Sequence, residues 1–235
     1  MVLIRNLKLK PPFFEIGPKN YMFGDQIMDL AHAADEAAEK YDVRVIFTTP
    51  YANIERVAAS VRYLYVFAPH MDDIPVGRGL ACVLPESVKA AGAVGVMLNH
   101  CERPLTTSVL SRTLKRAREV GLMSIVCADS MDETRAVAHM HPDMMVTEPA
   151  ELIGTGIAAD LSYVKTSVDA IMSIDPNIGI LVGGGISSGQ DVYNTIMAGA
   201  DATGSSSGIV KASDPGAMVN EMLQAVRQAW DDRSV

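Results

Sequence analysis

The segment Glu148–Gly156 places a carboxylate where an apolar run gives way to a glycine-containing loop. It reads Glu-Pro-Ala-Glu-Leu-Ile-Gly-Thr-Gly and follows the run Met144–Thr147. Proline restricts the backbone directly after the carboxylate, whereas Gly154 and Gly156 give the later part of the loop conformational freedom. This order fixes a general base on a rigid strand and leaves a lid beyond it, with a hinge at each end. The segment predicts proton transfer by Glu148, and the alternative is a solvated carboxylate that ends a strand.

Three more side chains of suitable chemistry follow other apolar runs. Lys19 follows Phe13–Ile16 and offers a cation that holds an anionic substrate or offsets charge developing on an oxygen. His100 follows a second run, and an imidazole near a helix N-terminus is biased towards the neutral form that donates a hydrogen bond to a carbonyl. Glu102 lies two residues after His100, and this spacing allows its side chain to turn back towards the site and pair with Lys19. Taken singly, the lysine also fits a surface position and the histidine a buried one satisfied by the backbone.

Two clusters of small residues complete the set of candidate site residues. Gly183-Gly184-Gly185-Ile186-Ser187 and Gly204-Ser205-Ser206-Ser207-Gly208 each follow an apolar run. Glycines after a strand allow backbone N–H groups to converge on an anion, although each cluster alone also fits a loose turn. Together they predict a site for a phosphorylated ligand.

These residues need a scaffold that brings the ends of several strands together. Short apolar runs alternate with amphipathic helical patterns along the chain, as parallel strands covered by helices on both faces do. The predicted strands are Phe13–Ile16, Val43–Thr48, Tyr63–Ala68, Val94–Leu98, Met123–Cys127, Met144–Thr147, Ile178–Val182 and Ala202–Ser205. The clearest predicted helices are Asp25–Glu39, Ser108–Val120 (stopped by Gly121), Asp191–Ala198 and Pro215–Trp230, the last followed by a solvated tail.

Eight strand–helix units in 235 residues predict a single α/β domain of the (β/α)8 barrel class, residues 1–235, with residues 1–12 as a lead-in segment. A doubly wound open sheet is the alternative arrangement. In a barrel of this kind the active site lies at the carboxyl ends of the strands, and loops after strands 7 and 8 hold phosphate. Every candidate residue above falls at such an end.

Composition excludes several other classes of function. The formal net charge is −8 and no basic run occurs, so nucleic acid and anionic membranes are poor partners. Three cysteines without a C-x-x-C pattern predict a reducing, cytoplasmic location. The first residues do not form a secretion signal, and no apolar run approaches the ~20 residues that span a bilayer. No histidine or cysteine spacing indicates a metal site, and we expect no cofactor.

The chain resembles the triosephosphate isomerase family, in its short archaeal-type branch. The resemblance is carried by segments spread over nearly the whole chain: Val83-Leu84-Pro85-Glu86, Ala91-Gly92-Ala93, Leu98-Asn99-His100, Arg118–Met123, Glu148–Gly156, Gly183–Ser187 and Ser207–Lys211. It implies a single TIM barrel with Glu148 as catalytic base, His100 as electrophile, Lys19 as substrate-holding cation and Glu102 as support for that lysine. The phosphate-binding positions that it implies are Gly154, Gly185, Ser187, Ser207 and Gly208.

The chain departs from the family pattern at four positions. Gly17 stands where the family has asparagine, and Cys101 replaces the serine after the histidine. Pro69 aligns with a glutamine and Leu80 with an interface threonine. These departures indicate a rearranged subunit interface or an altered substrate.

The function expected from the residues and the resemblance is isomerisation of a small phosphosugar through an enediolate. Glyceraldehyde 3-phosphate and dihydroxyacetone phosphate, intermediates of glycolysis and gluconeogenesis, are the first choice of substrates. A four-carbon tetrulose phosphate is the alternative substrate, and a catalytically idle barrel that senses a phosphosugar is the alternative class. We expect a homodimer or homotetramer.

Overall fold

A computed structural model describes residue 6 and residues 8–233, in which eight parallel strands pair in sequence order and close into a barrel. The strands are β1 Phe13–Ile16, β2 Arg44–Thr48, β3 Leu64–Ala68, β4 Gly95–Leu98, β5 Met123–Ala128, β6 Met144–Thr147, β7 Gly179–Val182 and β8 Ala202–Ser205. Each predicted strand is present, with bounds that match or differ by one residue at one end. The predicted barrel class is confirmed.

Closure is visible in the pairing of the first strand. Phe13 pairs with Arg44 of β2 on one side and with Ala202 of β8 on the other. Strand β1 therefore has no free edge, which excludes the open sheet. The extent predicted for the domain, residues 1–235, stays a prediction, and residues 1–5 and 7 of the lead-in lie outside the described part of the chain.

Helices cover the outside of the barrel. They are α1 Asp25–Tyr41, α2 Ile54–Ser60, α3 Pro85–Ala90, α4 Thr107–Val120, α5 Met131–Ala138, α6 Leu161–Ile174, α7 Gly189–Met197, α8 Ser207–Val210 and α9 Pro215–Arg233. Short 3₁₀ turns occupy Tyr51–Asn53 and Ala150–Leu152.

Helix α4 shows how local sequence sets these bounds. The Thr106 hydroxyl accepts a hydrogen bond from the Val109 N–H and so caps the start. Gly121 adopts a left-handed conformation with φ of 74° and ends the helix, as its sequence position predicts.

The end of α9 corrects a prediction. Residues 231–233 continue the helix, although Asp231 and Asp232 are exposed to solvent as predicted. The Arg233 guanidinium donates hydrogen bonds to the carbonyl oxygens of Ile196 and Ala200, at 2.8 and 2.7 Å, and stacks on Trp230. These contacts with the end of α7 stabilise the last turn.

Strand alternation divides the buried residues into two groups. One group fills the barrel interior and includes Phe13, Ile46, Phe67 and Met144. The other packs between the strands and the helices. Tight packing on both faces makes the strand ends rigid supports for the side chains that follow them.

Two findings concern the chain as a whole. No helix in the described part is both long and apolar enough to cross a membrane. Cys82, Cys101 and Cys127 are free thiols, the first two exposed and the third buried.

Candidate active site

A cavity of about 420 Å³ opens at the carboxyl ends of the strands. Its lining includes all four predicted catalytic and supporting residues, Lys19, His100, Glu102 and Glu148. Three separate loops, those after β1, β4 and β6, therefore bring these side chains to one space, as the sequence analysis expects.

Lys19 and Glu102 form an ion pair across this cavity. The Lys19 Nζ donates to Glu102 Oε1 at 2.7 Å. Burial acts to lower the pKa of Lys19, but the hydrogen bond to Glu102 and the charges of Glu102 and Glu148 outweigh it and raise that pKa. The same hydrogen bond lowers the pKa of Glu102. Lys19 also has a φ of 48°, an uncommon backbone conformation outside glycine that aims the side chain inward.

The hydrogen bonding of His100 fixes its tautomer. The backbone N–H of Glu102 donates to His100 Nδ1 at 3.1 Å, so Nδ1 is the acceptor and Nε2 carries the proton. Burial lowers the pKa of His100, and the positive charge of Lys19 lowers it further. The imidazole is therefore neutral near pH 7 and presents an N–H donor to the cavity.

The reason that we predicted for this neutrality is wrong. Helix α4 begins at Thr107, seven residues beyond His100, so its N-terminus is not what acts on the ring. A single loop N–H, burial and the neighbouring lysine have that effect instead.

Glu148 lies opposite the histidine. Its Oε1 is 3.7 Å from His100 Nε2, and both side chains are 15% exposed. Burial raises the pKa of Glu148, Lys19 opposes the rise and Glu102 adds to it. Gly183 leaves room for the carboxylate, because a Cβ at that position would stand 3.1 Å from Glu148 Oε2. A carboxylate of raised pKa beside a neutral donor has the properties of a general base.

Asn99 organises the loop that carries His100 and Glu102, a role that our sequence analysis did not assign. It is buried in a left-handed conformation with φ of 58°. Its Nδ2 donates to the Cys127 carbonyl at 2.9 Å and to Glu133 Oε1 at 2.8 Å, and its Oδ1 accepts from the Leu105 N–H at 2.8 Å. An amide between a strand end and a histidine is the signal that could have pointed to it.

The predicted lid runs outward from Glu148 as an exposed loop. The Glu148 N–H donates to the Ala128 carbonyl and ties the base to β5. Gly154 and Gly156 have φ of 76° and 75°, with open space where a Cβ would stand. These glycines are therefore required by backbone conformation alone. The far end of the lid contacts the loop after β7, where Ser187 Oγ donates to the Gly156 carbonyl at 3.3 Å.

The predicted phosphate-binding residues gather at one side of the cavity. Gly154, Gly185 and Ser207 line it, whereas Ser187 and Gly208 lie in contact with each other just behind the lining. The Ser187 N–H already donates to Asp191 Oδ2 at 3.0 Å. In α8 the N–H groups of Ile209 and Val210 donate to the Ser206 carbonyl. The N–H groups of Ser207 and Gly208 precede that first turn and are the ones that can face an anion.

A carboxyl that sequence reasoning missed stands where Gly17 departs from the family pattern. Glu15 of β1 lines the cavity, and a Cβ on Gly17 would stand 2.9 Å from its Oε1. The space that a side chain at position 17 would use is therefore taken by Glu15. An acidic residue inside the otherwise apolar run Phe13–Ile16 was the available signal.

Within the described residues, no group of three or more His, Cys, Asp or Glu side chains is arranged to hold a metal ion. The chemistry available in the cavity is that of a carboxylate, a neutral imidazole, an ammonium group and backbone N–H donors.

Comparison with known proteins places this arrangement in a family. The family model described as triosephosphate isomerase matches residues 16–222. The triosephosphate isomerase of Methanosarcina mazei is 37% identical over 220 residues, covering 92% of this chain and 99% of that protein. The corresponding protein of Saccharolobus solfataricus is 34% identical over 225 residues, covering 94% and 99%. That of Metallosphaera sedula is 32% identical over 230 residues, covering 96% and 100%.

Proposed function

This chain belongs to the triosephosphate isomerase family, and we propose that it interconverts glyceraldehyde 3-phosphate and dihydroxyacetone phosphate with Glu148 as the base. The observation that carries the assignment of roles is the 3.7 Å approach of Glu148 Oε1 to a neutral His100 Nε2, beside the Lys19 cation. A base and two donors face one small volume, which is what enolisation of a carbonyl compound requires.

In the proposed reaction, the Glu148 carboxylate removes a proton from the carbon next to the substrate carbonyl. The electron pair of the C–H bond forms a C=C bond, and the carbonyl π electrons move to oxygen. The Nε2–H of His100 and the Nζ of Lys19 stabilise the resulting enediolate. A proton then passes from the neighbouring hydroxyl to the enediolate oxygen by way of His100 Nε2, and the oxygen that has lost its proton becomes the new carbonyl as protonated Glu148 gives its proton to the adjacent carbon. The substrate is therefore isomerised without net oxidation.

The glycine-rich loops support binding of the substrate phosphate. We propose that N–H groups near Gly154, Gly185, Ser187, Ser207 and Gly208 surround it, with Lys19 adding charge. The Ser187 N–H would first have to leave Asp191. Closure of the lid Glu148–Gly156 would exclude water and so limit loss of phosphate from the enediolate.

The structure gives no reason to prefer a four-carbon substrate. Gly17 lacks a side chain, but the Glu15 carboxyl fills that volume, so the glycine does not enlarge the cavity. Lys19, His100 and Glu148 are all present in one cavity, which argues against an idle phosphosugar sensor.

A coupled assay of the purified chain tests this proposal. We expect turnover of glyceraldehyde 3-phosphate and dihydroxyacetone phosphate in both directions, with solvent deuterium entering the product carbon. Inorganic phosphate should inhibit competitively, because it fills the anion site alone. A higher kcat/KM for a tetrulose phosphate would replace the triose assignment. Phosphate binding without turnover of any ketose phosphate would instead support the idle barrel.

We further propose that the protein works in the cytoplasm, in glycolysis and gluconeogenesis. Family membership supports the pathways. The three free thiols support a reducing compartment.

A further inference from the structure

Strand β1 directs a carboxyl into the barrel interior, directly below the proposed reaction site. Glu15 lies two residues after Phe13, which belongs to the interior group, so strand alternation gives both the same orientation. Its carboxyl lines the cavity together with Lys19 and Glu148. The mechanism above assigns it no role.

Two glycines lie next to this carboxyl and leave space for it. A Cβ at Gly17 would stand 2.9 Å from Glu15 Oε1, and a Cβ at Gly204 would stand 2.9 Å from Glu15 Cβ and 3.1 Å from Oε2. Neither glycine has the positive φ that would require glycine for backbone reasons. A Cβ at Gly204 would also stand 2.9 Å from the Glu15 carbonyl oxygen, so that glycine is required by the close approach of β8 to β1 as well. The residue type at position 17 is therefore the one that matches the presence of a carboxyl at position 15.

One oxygen of the carboxyl lacks a hydrogen-bond partner among the described residues. Glu15 Oε1 is inaccessible to solvent and makes no hydrogen bond with any described residue. The Thr48 hydroxyl lies beside the carboxyl, but its oxygen is also buried without a well-formed hydrogen bond. A buried polar group without a partner is costly, so this carboxyl would gain from a partner that the described residues do not supply.

The surroundings of Glu15 favour its protonated form. Burial raises its pKa to about 7, the Thr48 hydroxyl opposes the rise, the negative charge of Glu148 adds to it and Lys19 opposes it. Cys127 of β5 is the other titratable group that interacts with it. The residue is partly accessible and lines the cavity.

We propose that Glu15 is a further substrate-binding residue, which as a neutral carboxylic acid donates a hydrogen bond to an oxygen of the bound sugar phosphate. This inference rests on the proposed function for the class of substrate. The neutral form of Glu15 favours binding of an anionic substrate more than the ionised form does. A second negative charge beside Glu148 would repel both the phosphate and the enediolate.

The pH dependence of kcat/KM tests the proposal through two substitutions of similar size. Glu15→Gln keeps an N–H donor and cannot ionise, whereas Glu15→Leu removes the donor. At pH 6 we expect Glu15→Gln to stay within about threefold of wild type and Glu15→Leu to lose about 10- to 100-fold, the cost of one unmade hydrogen bond. Above pH 7 wild-type kcat/KM should fall as Glu15 ionises, and that fall should be absent in Glu15→Gln. Glu36→Gln, an exposed change on α1, is the matched control and should follow wild type.

Thermal unfolding separates this effect from misfolding. A carboxyl whose pKa is raised by folding stabilises the protein below its unfolded pKa, and that contribution is lost as pH rises through the folded value. The Tm of wild type should therefore drop, relative to that of Glu15→Gln, between pH 5 and pH 8. Equal pH dependence of Tm in the two proteins would show that Glu15 is not a buried neutral acid and would overturn the proposal.

Ligand binding separates failure of this inference from failure of the proposed function. Glycerol 3-phosphate carries hydroxyls and phosphate but has no carbonyl to enolise, whereas inorganic phosphate probes the anion site alone. By calorimetry at pH 6, Glu15→Leu should bind glycerol 3-phosphate about 10-fold more weakly than wild type and inorganic phosphate equally well. Unchanged affinity for both ligands would overturn the role of Glu15. Failure of wild type to bind either ligand would instead contradict the phosphosugar function.

Discussion

Glu148 and His100 face each other in protonation states that their surroundings shift in opposite directions. Burial raises the pKa of the carboxyl and lowers that of the imidazole. Loss of water therefore disfavours the charged form of both groups. Because Glu148 must be ionised to accept a proton, kcat/KM should fall as pH drops through its raised pKa. At this scale, reactivity depends on the position of single atoms.

Shortening Glu148 tests that dependence. Glu148→Asp retracts the carboxylate by one methylene, a misplacement of about 1 Å that costs on the order of 100-fold. We expect kcat to fall far more than KM rises, as steady-state kinetics would measure. Glu55→Asp, an exposed change on α2, is the control for the same substitution away from the cavity. Wild-type turnover in Glu148→Asp would remove this residue from the role of base.

The pair Lys19–Glu102 should behave as one unit. Lys19→Ala should lose on the order of 100- to 1000-fold in kcat/KM, because it removes the cation nearest the developing oxyanion. Glu102→Gln should lose less, since Lys19 remains but is held less firmly. Without a side chain at position 17, the lysine depends on this partner more heavily.

A double-mutant cycle measures their coupling. The double variant should be little worse than Lys19→Ala alone. The exposed pair Lys115–Glu119, whose charged atoms are 3.9 Å apart on α4, is the matched control and should show additive, near-zero effects. Additive losses for Lys19 and Glu102 would contradict the pairing.

At the scale of elements, the strands supply rigidity and the loops beyond them supply geometry. Asn99 joins β5, α5 and its own loop through three hydrogen bonds, and thereby sets the height at which His100 enters the cavity. The lid has fewer anchors and is exposed over most of its length. Motion is therefore expected in the lid and not in the histidine loop.

The lid glycines give a prediction about this element. Gly156→Ala meets no atom within 4 Å, so its cost arises from the positive φ alone, about 1–2 kcal/mol. We expect a fall of about 5- to 30-fold in kcat/KM, because the present lid conformation becomes less populated. Stability should hardly change, since the lid contributes little to the core; chemical denaturation measures this.

Gly77→Ala is the corresponding control. Gly77 also has a positive φ and open space around its Cβ position, but it lies in the loop after β3. It should leave kcat/KM unchanged. Equal losses in the two variants would indicate a general effect of strain instead of an effect on the lid.

At the scale of the whole molecule, one loop carries apolar side chains away from the barrel. Asp72 fastens the loop between β3 and α3: its N–H donates to the Val83 carbonyl, and its Oδ2 accepts from the Val83 N–H at 2.6 Å. At the tip Leu80 is fully exposed and Val76 is 71% exposed. Apolar residues on a tethered loop favour contact with another subunit, in line with the proposed homodimer or homotetramer.

Analytical ultracentrifugation tests this expectation. We expect wild type to sediment as an oligomer and Leu80→Asp to shift it towards the monomer, because a charge at that tip must be desolvated in an interface. Met197→Asp, an equally apolar-to-charged change on α7 where the side chain is 40% exposed, should leave the assembly intact. An oligomer unaffected by Leu80→Asp would place the interface elsewhere.

Much of the fold is determined by local patterns that a linear sequence displays. Short runs of four to six residues, mostly apolar or small, predicted all eight strands, since strands of this barrel are largely buried on both faces. Gly121 predicted the end of α4. Lys19, His100, Glu102 and Glu148 were predictable as candidates because each follows such a run, and barrel geometry brings strand ends together.

Contacts between distant segments were decided only in the tertiary structure. The Arg233 guanidinium meets carbonyls more than 30 residues away and extends α9, which no local pattern shows. The neutrality of His100 depends on the N–H of Glu102 and on burial, instead of the helix that its sequence position suggested. Glu15 gives the clearest case. The space for its carboxyl depends on Gly17 and on Gly204 of β8, and β8 lies beside β1 only because the barrel closes. Sequence encodes which face a side chain takes, whereas packing decides what that side chain meets.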